Sequence, residues 1–222
     1  MERVTYALDN RDADYYATGV KRDSSWYEFT VVTPDLIIPG VRMRIFGLLM
    51  VENALAAITV AHQLGIAPEI IARAVTSYRG VERRFDCQVE TAERIYIDDY
   101  AHHPEEIRAF LSSVRSLYPE KKITGVFQPH LFSRTRDFAD DFARSLEVLD
   151  ELIMMEIYPA REEPIPGVTS SMILDRVRIK EKILVSREQL MPVIRERDPR
   201  LLVTMGAGDI DQFVEPIREW MT

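Results

Sequence analysis

Seven consecutive residues, Asp98-Asp99-Tyr100-Ala101-His102-His103-Pro104, carry two carboxylates, a phenol and two imidazoles. Such a set can hold an ammonium group, donate to an anion, or pass a proton near neutral pH, where imidazole titrates. A second dense stretch is Gln128-Pro129-His130-Leu131-Phe132-Ser133-Arg134-Thr135-Arg136-Asp137, which adds an imidazole and two guanidinium groups. Arginine in a site stabilises negative charge developing on carboxyl or phosphoryl oxygens. A third stretch, Gly206-Ala207-Gly208-Asp209, reads either as a backbone cradle for a phosphate or as a tight turn. A fourth, Arg83-Arg84, reads as a solvated pair in a linker or as a phosphate clamp. Arg134 and Arg136 have a plain alternative as well. They could pair with Asp137, Asp140 or Asp141 on a helix surface, where a salt bridge contributes little. His102 and His103 are adjacent and poorly spaced to chelate one ion. No HExxH or Cys/His pattern accompanies them, so no metal site is expected on these residues.

The order of elements brings these stretches together. Residues 87–97 alternate and read as one strand running into the Asp98 turn. Pro104 suits the first position of a helix, with Glu105 and Glu106 beside the positive end of its dipole. That helix reaches Leu117 and carries Ile107, Phe110, Leu111 and Val114 on one face. Residues 122–127 read as a strand and 138–149 as a helix; 151–157 form a nearly continuous apolar strand, as expected for one buried on both faces. Helices over 170–177 and 188–195 flank a strand at 182–185, and a strand at 201–205 precedes a closing helix at 210–220. This alternation predicts an α/β fold with a doubly wound, mostly parallel, Rossmann-like sheet. Ligands bind outside the carboxyl ends of strands in such sheets. The stretches at 98, 128 and 206 all leave strands there, so they are expected to converge on one edge.

Residues 1–46 read as β-rich, with strands at 4–8, 15–20, 26–32 and 41–45 and breaks at Pro34 and Pro39-Gly40. Their aromatic residues read as core. An alanine-rich helix over 53–65 ends at Gly65, Pro68 opens another, and His62 reads as a helix-surface histidine. Composition shifts across 79–86, which places a domain boundary near residue 85. A net charge of −8 argues against a nucleic acid gripped through its phosphates. One cysteine, Cys87, excludes an internal disulfide and fits a reducing compartment. No apolar run is long enough to span a bilayer, and Met-Glu-Arg-Val is no signal peptide, so a cytoplasmic protein without a membrane partner is expected.

Taken in order, Asn53-Ala54-Leu55-Ala56-Ala57, Arg83-Arg84-Phe85-Asp86, the 98–104 stretch, Phe127-Gln128-Pro129-His130 with Ser133-Arg134-Thr135-Arg136-Asp137, and Tyr158-Pro159-Ala160 with Pro164-Ile165-Pro166-Gly167 resemble the Mur ligase family. The resemblance covers nearly the whole chain. It implies an ATP- and Mg²⁺-dependent amide-forming ligase of peptidoglycan synthesis, in the branch that joins L-alanine to UDP-N-acetylmuramate through an acyl phosphate. It makes residues 1–85 an α+β remnant of the central ATP-binding domain and 86–222 the C-terminal domain. It also implies that Arg84 reaches ATP phosphates, Asp99 the ribose, and Asn53 the adenine region. Tyr100, His102, His130 and Arg134 would face the amino acid, with His102 and Arg134 catalytic. No G-x-x-x-x-G-K-[ST] loop occurs among the nine glycines, so the chain reads as a fragment, inactive alone, whose Mg²⁺ ligands lie mostly elsewhere. Two positions depart from the family pattern. Gly47-Leu48-Leu49-Met50 stands where many members have Gly-x-His-Asn, and Leu131 stands where an arginine often follows Gln-Pro-His. Two other readings compete: a relative that recycles a whole tripeptide onto UDP-muramic acid, and a stand-alone nucleotide-binding or interaction module without catalysis.

Overall fold

A computed structural model describes residues 3–23, 26–44 and 47–222. The chain divides into two compact units, Met1–Gly80 and Val81–Thr222.

The first unit is a four-stranded sheet in the order β1 (Tyr6–Ala7), β2 (Tyr15–Asp23), β3 (Trp26–Val32), β4 (Ile37–Met43), with two helices, α1 (Leu48–Gln63) and α2 (Pro68–Ser77). β1 runs parallel to β2; the other pairs are antiparallel. Alternation along β3 turns Tyr27, Phe29 and Val31 into the core with Tyr15, Val41, Leu55 and Ile58. The last strand differs from the sequence reading, because it runs straight through Pro39-Gly40. Gly40, at φ +64°, supplies the extra residue of a bulge opposite β3, and Gly19, also at +64°, does the same on the other side. Proline is tolerated at such a bulge on an edge strand. Ile45, assigned above to this strand, lies outside the described residues.

α1 begins at Leu48, five residues before the expected start, and ends in a Schellman turn. The Gly65 N–H donates to the His62 carbonyl and the Ile66 N–H to that of Ala61, with Gly65 at φ +76°. His62 is no surface residue. Its ring is 14% exposed, with Nδ1 2.8 Å from the Tyr15 hydroxyl and Nε2 3.5 Å from Asp35.

The second unit holds a six-stranded sheet in the order β5 (Asp86–Glu90), β6 (Ile95–Asp99), β10 (Leu201–Met205), β7 (Thr124–Phe127), β8 (Glu151–Met155), β9 (Glu181–Val185). All neighbours are parallel except β5 and β6. The alternating run 87–97 is therefore a hairpin rather than one strand. Its turn closes where the Thr91 hydroxyl accepts from the Arg94 N–H at 2.9 Å and donates to the Arg94 carbonyl.

The helices are α3 (Pro104–Leu117), α4 (Phe132–Asp137), α5 (Ala139–Leu146), α6 (Ser171–Leu174), α7 (Leu190–Arg197) and α8 (Val214–Met221), the last preceded by a 3-10 turn at Asp209–Phe213. The expected helix over 138–149 is α5, which ends at Leu146, and the short α4 precedes it, set apart at Phe138. On one sheet face Tyr96, Val126, Ile153 and Leu202 pack against Leu190 and Ile194 of α7 and Ile217 and Met221 of α8. On the other, the Phe127 ring meets Phe142 of α5 at 5.4 Å, and α5 also packs against α3 and α6. The sheet is doubly wound, as the element order predicts. β10 lies between β6 and β7, so the stretches after these three strands are direct neighbours.

Candidate functional site

The two carboxylates at the end of β6 face inward. Asp98 is fully buried; its Oδ1 accepts from the Thr204 hydroxyl at 2.5 Å and its Oδ2 from Arg83 Nε at 2.9 Å. The one hydroxyl hydrogen of Thr204 is directed at Asp98, so the buried Tyr96 hydroxyl must donate to Thr204 Oγ1, 2.9 Å away. Burial raises the Asp98 pKa, and Thr204 and Arg83 oppose that rise. Asp99 accepts from the Phe85 N–H at 2.7 Å and the Ala101 N–H at 2.8 Å.

These bonds, with Tyr100 N–H to the Arg83 carbonyl at 2.7 Å and Arg83 Nη2 to the Gly206 carbonyl at 2.7 Å, clamp residues 83–85 onto the strand ends. Arg83 and Phe85 both sit at positive φ, +59° and +47°, and turn Arg84 outward between them. The two arginines, equal in the sequence, thus separate. Arg83 is structural. Arg84 is exposed, with its guanidinium 5.4 Å from the centre of the Tyr100 ring, and makes no ion pair among the described residues.

Burial pushes the Asp99 carboxyl up to about 6, against the pull of the Phe85 and Ala101 amides and Arg84. A folded-state value above the unfolded one means that the folded protein holds a proton the unfolded chain has released. The stabilisation is complete below the unfolded value, near 3.8, and is lost as pH rises through about 6. The gain in stability of wild type relative to Asp99→Asn should therefore grow by on the order of 2 kcal/mol between about pH 7.5 and about pH 4.5. Urea unfolding read from Trp220, with Trp26 replaced by Phe, measures this. A gap that stays constant with pH would show that Asp99 titrates normally.

His102 Nδ1 lies 3.0 Å from the Tyr100 carbonyl, which can only accept, so Nδ1 is the donor, and in the neutral ring the lone pair is on Nε2. Glu106 accepts from the backbone N–H groups of His102 and His103 at 3.0 and 3.2 Å, which fixes the turn on the first turn of α3. Burial works against the Glu106 charge, yet these amides and the His102 ring hold its pKa below the usual value. Rings then follow one another along the sheet edge. Tyr100 meets His102 at 5.2 Å, His102 meets His130 at 5.9 Å, and His130 stacks on Tyr158 at 5.9 Å.

Beside this row stands Arg134, on α4. Its Nη1 and the Nδ1 of His130 are buried with no hydrogen-bond partner among the described residues. Burial, Arg134 and His102 hold the His130 pKa below its usual value. Arg136 differs: it is exposed and pairs with Asp137 at 2.7 Å, the plain alternative considered for both.

Gly206-Ala207-Gly208 is a packed turn and not a cradle. A Cβ on Gly208 would lie 2.4 Å from Gln128 Oε1 and 2.6 Å from Tyr158 Cβ; one on Gly206, at φ +146°, would lie 2.8 Å from the Gln128 carbonyl. The Gln128 side chain ties the turn down, donating to Asp209 Oδ1 at 2.6 Å and accepting from the Ile210 N–H at 2.9 Å.

The structure therefore brings together Arg84, Tyr100, His102, His130 and Arg134, with Asp99 behind them. Asn53 belongs to the first unit, on the exposed side of α1 with Nδ2 3.7 Å from Met50 Sδ. Leu131, the departure noted above, sits at φ +72° with its N–H on the Tyr158 carbonyl. Sequence reasoning missed the Tyr96–Thr204–Asp98 chain and Glu162, whose carboxylate binds Ser133. For Gln128 a signal existed, a lone amide directly after a buried strand; for Glu162 none did. Among the described residues no group of three or more His, Cys, Asp or Glu could hold a metal ion, and no helix is long and apolar enough to cross a membrane. The residues present do not fit a Mg²⁺ cage.

A doubly wound domain that gathers imidazole and guanidinium groups at one carboxyl edge offers donors that can hold an anion. The family model described as Mur ligase, glutamate ligase domain matches residues 83–208, more than half of the chain, and the chain belongs to the Mur ligase family. It is 45% identical over 210 residues to the UDP-N-acetylmuramate–L-alanine ligase of Flavobacterium psychrophilum, covering 95% of this chain and 47% of that protein. It is also 45% identical over 221 residues to the enzyme of the same name from Flavobacterium johnsoniae, covering 100% of this chain and 49% of that protein. The crystal structure of the UDP-N-acetylmuramate–alanine ligase of Thermotoga maritima is similar at a TM-score of 0.76 and 26% identity, over 98% of this chain and 47% of that one. The chain spans about half the length of the relatives it matches.

Proposed function

We propose that this chain supplies the acceptor-amino-acid part of a cytoplasmic, ATP-dependent ligase that joins L-alanine to UDP-N-acetylmuramate. The observation that carries this reading is the pair of buried, unpartnered polar atoms, His130 Nδ1 and Arg134 Nη1, at one sheet edge. Buried polar groups in native proteins are nearly always paired, and here an amino-acid carboxylate or acyl-phosphate oxygen would complete them. In this reaction the muramate carboxylate attacks the γ-phosphorus and ADP leaves; the amine then attacks the acyl carbon, and phosphate leaves. Arg134 stabilises charge on the reacting oxygens. His102, in its neutral form, accepts at Nε2 the proton that the substrate ammonium loses before its amine attacks. Tyr100 and His130 line the amino-acid side. Arg84 reaches the ATP phosphates and Asp99 the ribose. No step is assigned to Mg²⁺ through residues of this chain, and residues 1–85 and 86–222 serve as parts of a central and a C-terminal domain.

A chimaera tests this reading. Residues 1–222 replace the matching segment of the Flavobacterium psychrophilum ligase. Phosphate release should require both UDP-N-acetylmuramate and L-alanine, whereas the 222-residue chain alone, lacking a phosphate loop, should release none. A folded chimaera that takes a tripeptide instead of L-alanine would assign the recycling activity. One that binds nucleotide and turns over nothing would assign a binding module.

A further inference from the structure

The loops after β7 and β8 are zipped together. The Tyr158 N–H donates to the Pro129 carbonyl at 2.8 Å and the Leu131 N–H to the Tyr158 carbonyl at 3.0 Å, a parallel bridge that also stacks His130 on Tyr158. Beyond it the β8 loop reverses at Pro159–Glu162, where the Glu162 N–H reaches the Pro159 carbonyl at 2.9 Å and Ala160 sits at φ +52°. A residue with a Cβ pays about 1–2 kcal/mol for that conformation. The reversal aims the Glu162 carboxylate back at α4. Its Oε2 accepts from the Ser133 N–H at 2.9 Å and its Oε1 from the Ser133 hydroxyl.

α4 needs this partner. The first N–H groups of any helix lack intrahelical acceptors, and the residue ahead of α4, Leu131, has no side-chain oxygen to offer. A helix of six residues has little stability of its own, so its direction is fixed from outside. Arg134 follows Ser133 directly.

We propose that Glu162 is a positioning residue, which caps α4 from the neighbouring loop and thereby aims Arg134 and His130 at the amino-acid substrate. The substrate part rests on the function proposed above; the capping part does not. The groups facing His130 are Arg134 on α4, His102 after β6, and Arg161, Glu162 and Tyr158 after β8. Burial, Arg134, His102 and Arg161 all disfavour its protonation, and Glu162 opposes them.

The test uses the 222-residue chain and NMR of the His130 ring, the Arg134 Nε–H and the Ser133 amide in wild type, Glu162→Gln and Glu162→Ala. Glu162→Gln keeps an acceptor for the Ser133 amide but removes the charge. Its amide protection should hold, while the His130 midpoint moves to lower pH and Arg134 moves little. Glu162→Ala should also lose the amide protection by about tenfold or more and shift the Arg134 resonance. In an active chimaera, Glu162→Ala should raise KM for L-alanine about tenfold or more, with KM for ATP within about twofold, and Glu162→Gln should recover most of it. Unchanged Ser133 and His130 signals in Glu162→Ala would overturn the capping role. An unchanged KM for L-alanine would overturn the positioning role. An inactive wild-type chimaera with the NMR shifts intact would overturn the functional reading and leave the cap established.

Discussion

Arg134→Ala in the active chimaera is expected to lower kcat by about a hundredfold or more, the usual cost of losing a donor aimed at charge that develops in the transition state. Arg134 is set apart by what its side chain does not do. Nη1 is buried and finds no partner among the described residues, so the guanidinium is not being used to hold the fold together. It stands on α4, whose start is tied to Glu162, and shares the surroundings of His130. Arg136, two residues on, is the internal control. Its exposed pair with Asp137 predicts an effect of Arg136→Ala within about twofold. The two variants should unfold within about 0.5 kcal/mol of wild type. Steady-state rates at saturating L-alanine, with circular dichroism to confirm folding, decide the matter. If Arg134→Ala keeps its rate within about twofold, Arg134 is a surface arginine like its neighbour.

The second large effect is on stability. Asp98→Ala should destabilise the unit Val81–Thr222 by about 3–5 kcal/mol, because breaking one side of a buried, hydrogen-bonded pair strands the other. Here the loss is not confined to Arg83. Thr204 would lose its acceptor, and Tyr96 donates to Thr204 in the same fully enclosed chain. Arg83 also carries the backbone of residues 83–85, so Arg84 would lose its outward setting. Glu105→Ala, which removes an exposed partner of Arg108 on α3, should cost no more than about 0.5 kcal/mol. Trp220 fluorescence in the Trp26→Phe background follows the unfolding of this unit. A cost below about 1 kcal/mol for Asp98→Ala would mean that Arg83 swings to water and that the clamp is dispensable.

Local chemistry and periodicity were enough for most of the fold. The strand–helix alternation after residue 95 gives a doubly wound sheet because apolar periods of two and 3.6 residues leave few other ways to bury those faces. Pro104 at the start of α3 and Gly65 at the end of α1 are backbone preferences, and they hold in the structure. The shared edge of the 98, 128 and 206 stretches was also legible, since residues that leave the carboxyl ends of neighbouring parallel strands must meet there.

Tertiary structure alone separated residues that look alike in sequence. Arg83 and Arg84 differ only by which guanidinium meets a buried carboxylate, and that depends on strand β6 lying beside β10. Residues 87–97 read as one strand because a hairpin keeps the alternation on both arms; only pairing reveals the turn. Gly206 and Gly208 matched a phosphate cradle as well as a tight turn until Gln128 and Tyr158 filled the space above them. Glu162 carries no local signal, because what makes it a helix cap is a residue 29 positions away in sequence, brought within hydrogen-bond reach by the fold.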